Sequence, residues 1–237
     1  MLEIKRLCKK FEDQIFLDNV NLSLNPGEIS VIVGASGVGK STLLKILNNL
    51  ENADSGLILY DGKISNPEEL IQKKITSMMF QSPGLFKYLS TEENLTLILE
   101  KVIKLEKNEA KKEAFNLLKK MEIQDFAKKP ISKLSGGQQQ RLSFARILAI
   151  QPKIFCLDEP TSALDPHLTR YIAKEIINLS ELGHSFLIVT HDMFLIKILS
   201  KCTINLIKAG RIIETGTFDQ IQKQVGGFEF IKEFMSL

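Results

Sequence analysis

The stretch Gly34-Ala35-Ser36-Gly37-Val38-Gly39-Lys40-Ser41 fits G-x-x-x-x-G-K-[ST], with Gly34, Gly39, Lys40 and Ser41 at the fixed places of a phosphate-binding loop. Its flanks decide how it folds. Ile29-Ser30-Val31-Ile32-Val33 before it is a short β-branched run of the kind that forms a buried strand. Leu43, Leu44, Ile46, Leu47 and Leu50 after it make a helical stripe. Between strand and helix, the glycines let the backbone turn tightly, so that successive N–H groups and the helix N-terminus, through Thr42, face an anion. Lys40 adds a point charge, and the Ser41 hydroxyl is a hard oxygen ligand suited to Mg2+.

A second constellation supplies acid–base chemistry. Ile154-Phe155-Cys156-Leu157-Asp158-Glu159 is an apolar strand ending in two carboxylates, at the edge where open parallel sheets place their ligands. Asp158 is expected to hold Mg2+, through water, and Glu159 to act as general base on an attacking water. Another apolar strand, Ser185–Thr190, leads into His191, which the same edge makes a candidate γ-phosphate sensor. His167 and His184 lack such a position and read as ordinary polar groups.

Farther along, Leu134-Ser135-Gly136-Gly137-Gln138 precedes a stripe of Leu142, Ala145 and Leu148 and so opens another helix with exposed backbone donors. One phosphate loop already serves one nucleotide. The second Ser/Gly segment therefore suggests two chains that share each ATP.

Composition bounds the remaining possibilities. The chain has 237 residues, 44% hydrophobic and 25% charged, enough for a sizeable core in one large domain or two fused lobes. There is no run of eighteen apolar residues and no secretory start, so a cytosolic chain that does not itself span a membrane is expected. Cys8, Cys156 and Cys202 lack metal-site spacing and read as packing thiols. The net charge of +3 is spread over scattered lysine pairs. No basic block interleaves with aromatics, which disfavours nucleic-acid binding.

Periodicity divides the chain coarsely. Residues 1–33 and 56–64 read as strands with turns at Asn25-Pro26-Gly27 and Asp61-Gly62. From Thr91 to about Ala149 the pattern is helical, with Ala110, Ala114, Leu117, Leu118 and Met121 on one stripe. Strands return at Ile154, Ser185 and Ile204 around a helix near Leu168–Leu182. Met78-Met79-Phe80-Gln81 ends a strand, and Ser82-Pro83-Gly84-Leu85-Phe86 leaves it. Leu85 and Phe86 with Tyr88 suit either a docking groove or a linker whose aromatics pack inward.

These residues together resemble the nucleotide-binding subunit of an ATP-binding cassette (ABC) transporter over nearly the full length of the chain. GASGVGKS resembles the Walker A motif, Gln81 the Q-loop glutamine, LSGGQQQR at Leu134–Arg141 the signature, IFCLDE the Walker B motif, Ser162-Ala163-Leu164-Asp165 the D-loop, and His191 the switch histidine. The resemblance implies a P-loop NTPase (RecA-like) α/β core with an N-terminal antiparallel β layer and an inserted helical subdomain. It implies one domain over residues 1–237, with the nucleotide core in 1–81 and 152–237 and the helical insert in 82–151. ATP and Mg2+ are the implied cofactors, and Gln81, whose amide could sense Mg2+ or water, is a candidate both as a catalytic residue and as a metal ligand. In a head-to-tail homodimer, Ser135 with Gly136 and Gly137 would contact ATP held by the second copy's loop. An adenine-stacking aromatic is implied at Phe11, whose other reading is an ordinary strand phenylalanine.

FQSPGLFKYLSTEENL and the extra glutamines of LSGGQQQR resemble importer subunits for polar amino acids, although Lys87-Tyr88-Leu89-Ser90 departs from the usual proline- and histidine-containing form. This implies transmembrane permease subunits, an extracytoplasmic solute-binding protein, and a peripheral place on the cytoplasmic face of the membrane. The alternatives are the ATPase of a lipoprotein-release or cell-division complex and a soluble ABC ATPase.

Overall fold

The apolar runs identified above become strands β1 (Leu2–Phe11), β2 (Gln14–Leu24), β3 (Ile29–Val33), β4 (Ser55–Tyr60), β5 (Lys63–Ile64), β6 (Thr76–Met79), β7 (Ile154–Asp158), β8 (Ser185–Val189) and β9 (Thr203–Lys208), and a further strand not read from the sequence, β10 (Arg211–Thr217), follows. The helices are α1 (Lys40–Leu47), α2 (Pro67–Gln72), α3 (Thr91–Lys101), α4 (Lys107–Lys120), α5 (Gly136–Ile150), α6 (Pro166–Glu181), α7 (Met193–Ile198) and α8 (Phe218–Gln222). They belong to a computed structural model that describes residues 1–223 together with Glu229 and Ile231. The remainder of the domain expected to reach residue 237 lies outside the described residues.

Two sheets organise the chain. One is antiparallel, in the order β2-β1-β4-β5; the other has the order β10-β9-β3-β8-β7-β6, parallel from β9 to β6 with β10 antiparallel at its edge. Strands β3, β7 and β8 are buried at every residue, as continuous apolar runs require when both faces of a sheet are covered. Alternation divides their side chains between two cores. Ile32, Cys156, Leu187 and Val189 meet the antiparallel layer and the Leu43, Leu44, Ile46 and Leu47 stripe of α1. Val31, Val33, Phe155, Leu157, Phe186 and Ile188 meet the helical side, including Leu95, Leu117, Leu142 and Leu148.

That second core crosses the expected boundary at residues 81 and 152, so segment 82–151 shares its apolar interior with the parallel sheet. Two expectations need correction. Leu50 is 52% exposed, because α1 stops at Leu47 and Leu50 falls in the turn beyond. Strand β6 ends at Met79, so Phe80 and Gln81 already belong to the connection.

Candidate functional site

Register places the site. Strand β3 pairs with β8 through Ile32 and Val189, β7 with β8 through Asp158 and Val189, and β6 with β7 through Met79 and Leu157. Four parallel strands thus end side by side, and the loops that leave them enclose a cavity of about 470 Å3. Gly34, Lys40 and Ser41 line it from the first loop, Gln81 from the second, Asp158 and Glu159 from the third and His191 from the fourth.

The loop's glycines have a steric cause. Gly39, the N-cap of α1, has φ 103°, and a Cβ there would stand 2.1 Å from the Phe16 carbonyl oxygen. No side chain caps that N-terminus, so the first-turn N–H groups face the cavity without a side-chain acceptor. Lys40 Nζ donates to the carbonyl oxygens of Gly34 and Ala35, each at 2.7 Å. Burial pulls the Lys40 ammonium below its ordinary pKa, while the charges of Glu159 and Asp158 oppose that shift.

The adjacent carboxylates have different surroundings. Asp158 is buried, and its Oδ1 has no hydrogen-bond partner. Burial raises its pKa and the charge of Glu159 adds to the rise, against a hydrogen bond from Ser41 and the charges of Lys45 and Lys40. Glu159 is also buried, but its carboxylate is fully engaged: Thr190 Oγ1 donates to Oε2 at 3.1 Å, and His191 Nδ1 lies 2.7 Å from Oε1. Glu159 takes φ 50°, a left-handed conformation that a non-glycine residue holds only where its neighbours over-determine it. His191 remains 72% exposed at the mouth.

Other candidates stand elsewhere. Phe11 does not line the cavity and is not a core residue; it is 38% exposed and meets Phe16 edge-on, with ring centroids 5.0 Å apart, while Lys9 covers it. Phe16 is the aromatic that lines the cavity, and the alternation of β2 carries no mark that separates it from Phe11. Ser135 is the N-cap of α5 in a reciprocal capping box with Gln138. Leu134 is buried, Ser135 and Gly136 are exposed, and no residue of Leu134–Gln138 or of Ser162–Asp165 lines the cavity. Ser162–Asp165 instead packs on the start of α5, where Ala163 N donates to Gln140 Oε1 at 2.8 Å, and Asp165 caps α6.

A family model described as ABC transporter matches residues 17–162. The chain belongs to the ABC transporter family. As a member of it, the chain is an ATP-hydrolysing transport subunit. Among its relatives, the glutamine transport ATP-binding protein GlnQ of Escherichia coli (strain K12) is 41% identical over 220 residues, 91% of each chain. The probable amino-acid import ATP-binding protein YxeO of Bacillus subtilis (strain 168) is 37% identical over 227 residues, 93% of this chain and 91% of the relative. Among solved structures, the dimeric ABC transporter cassette MJ0796 superposes with a TM-score of 0.84 at 32% identity, covering 92% of this chain and 99% of the other. Its post-hydrolysis state bound to ADP and Pi gives 0.83 with the same identity and coverage.

Proposed function

We propose that this chain powers import of a polar amino acid, with Glu159 as the general base that drives ATP hydrolysis. The observation that carries the chemistry is the buried Glu159 carboxylate, held by His191 and Thr190 in the same cavity as Lys40 and Ser41. Glu159 takes a proton from water as the water oxygen attacks the γ-phosphorus and the bond to the bridging oxygen of ADP breaks. His191 lies 2.7 Å from the carboxylate and is exposed at the mouth of the cavity; in this reading it orients Glu159 and senses the γ-phosphate. The first loop's backbone and Lys40 hold the phosphates, and Phe16 with Phe11 behind it offers the adenine an aromatic edge.

The Ser41 hydroxyl, Gln81 amide and Asp158 carboxylate are oxygen donors suited to Mg2+, and the buried Asp158 Oδ1 without a donor fits a cation. When bound, Mg2+ neutralises developing phosphate charge. In this reading residues 1–237 form one ATP-binding domain with residues 82–151 as its insert. The signature Leu134–Gln138 and the D-loop Ser162–Asp165 lie outside the cavity, which supports their use by a second, head-to-tail copy. Among the described residues no helix is long and apolar enough to cross a membrane. In this reading coupling runs through permease subunits, with a solute-binding protein outside and this chain on the cytoplasmic face. GlnQ and YxeO, named for glutamine transport and amino-acid import, support the solute class.

Glu159→Gln is expected to lower turnover by about 10²–10⁴-fold while ATP binding persists. In cells the same variant is expected to abolish uptake of radiolabelled polar amino acids. A parental hydrolysis rate would overturn the assignment of the base; normal uptake with lost hydrolysis would redirect the solute class.

A further inference from the structure

Gln140 is 2% exposed, on a helix whose preceding glutamines, Gln138 and Gln139, serve only local backbone groups. Its amide is satisfied at both ends by one short segment. Nε2 donates to the Glu159 carbonyl oxygen at 2.7 Å and to Ser162 Oγ at 3.3 Å, while Oε1 accepts from Ala163 N at 2.8 Å. The Glu159 carbonyl also receives Ser162 Oγ at 3.2 Å. This carbonyl belongs to the residue held at φ 50°, so its donors help maintain the turn that aims the Glu159 carboxylate at His191.

The same segment touches α5 one turn earlier. Gly136 and Gln140, four residues apart, share a helix face. A Cβ on Gly136 would lie 3.8 Å from Ala163 Cβ, and one on Gly137 would lie 3.0 Å from the Ala163 carbonyl oxygen. The first turn of α5, the D-loop and the backbone of Glu159 are thus one packed unit, and the Gln140 amide is its hydrogen-bonded tie.

We propose that Gln140 is a positioning residue that sets Glu159 through its backbone carbonyl and yokes it to the signature turn at the start of α5. This rests on the reading of Glu159 as the base. In the shared-site dimer, the turn that engages the second copy's ATP then sets the base belonging to its own.

The test is a double-mutant cycle on the full chain, joining Gln140→Met, which keeps length and loses both ends of the tie, to Glu159→Gln. Gln140→Met alone is expected to lower kcat by about 10–100-fold and to leave KM and single-chain ATP binding within about twofold. In the Glu159→Gln background, where the base is already absent, it is expected to cause no further loss in single-turnover hydrolysis. A merely structural glutamine would lower both backgrounds by the same factor, and that result, or an unchanged kcat in the single variant, overturns the proposal. Gln140→Glu keeps the acceptor for Ala163 N, loses the donor to Glu159 and carries the same cycle if Gln140→Met does not fold. A wild-type rate in Glu159→Gln alone is a separate outcome that removes the base assignment.

Discussion

At the scale of single residues, Asp158 and Glu159 show how neighbouring carboxylates acquire different tasks. Glu159 has donors for both oxygens; Asp158 has a buried oxygen with none. Since burial raises the folded-state pKa of Asp158, the native chain holds its proton more tightly than the unfolded chain does. Stability contributed by the carboxyl therefore falls as pH rises from the unfolded value, about 3.9, through the raised folded value, and the penalty is complete above it. Asp158→Asn is expected to melt higher than the parent at neutral pH in metal-free, nucleotide-free buffer. The difference should vanish below about pH 3.9. Equal melting temperatures across this range would remove burial of the Asp158 charge as a source of instability, and excess Mg2+ with ATP should reverse the order, since only the parent binds both well.

At the scale of elements, the connection from β6 to α3 divides between the two readings of its sequence, part packed inward and part exposed. Leu85 packs partly buried against the helical-side core, while Phe86 lies beneath Arg146, whose guanidinium is 4.8 Å from the ring and donates to the Gly84 carbonyl oxygen at 2.7 Å. Asn94 holds the Phe86 backbone at both N–H and C=O. Of the apolar step proposed for docking, only Tyr88 projects fully into solvent. Leu85→Asp is accordingly expected to lower the stability of the free protein by about 1–3 kcal/mol, through lost apolar contact and partial burial of a charge. Tyr88→Glu should change stability by less than about 0.5 kcal/mol yet reduce co-purification with the permease subunits. Thermal melts and pull-downs separate the two; a stable Leu85→Asp chain, or full permease recovery with Tyr88→Glu, would reassign the contact surface.

At the scale of the whole molecule, Leu134–Gln138 and the cavity occupy different places on one chain, and the proposed head-to-tail dimer would account for both. Lys40→Ala is expected to weaken ATP binding to the single chain, whereas Ser135→Arg leaves it within about twofold, because Ser135 lies outside the cavity. Each homodimer should lose hydrolysis. A mixed dimer of the two variants puts both lesions in one shared site and leaves the other whole, so nucleotide trapping should find one ATP per two chains. Equal affinity losses in the two single-chain variants, or no trapped nucleotide in the mixed dimer, would exclude the shared arrangement.

Local spacing was sufficient to propose Gly34–Ser41 as a phosphate loop, Asp158 and Glu159 as paired carboxylates and His191 beyond β8, and to place most of the strands and helices that carry them. Each of these depends on neighbours within a few residues: glycine geometry at a turn, alternation in a strand, the 3.6-residue period of a helix. The lining of the cavity by Phe16, the inward packing of Leu85 and the burial of Gln140 beneath Glu159 belong to the tertiary structure alone. Those contacts join residues brought together by the strand order β10-β9-β3-β8-β7-β6 and by α5 packing across residues 159–164. A period of two or 3.6 says which face of an element is apolar; it does not say which other element that face will meet.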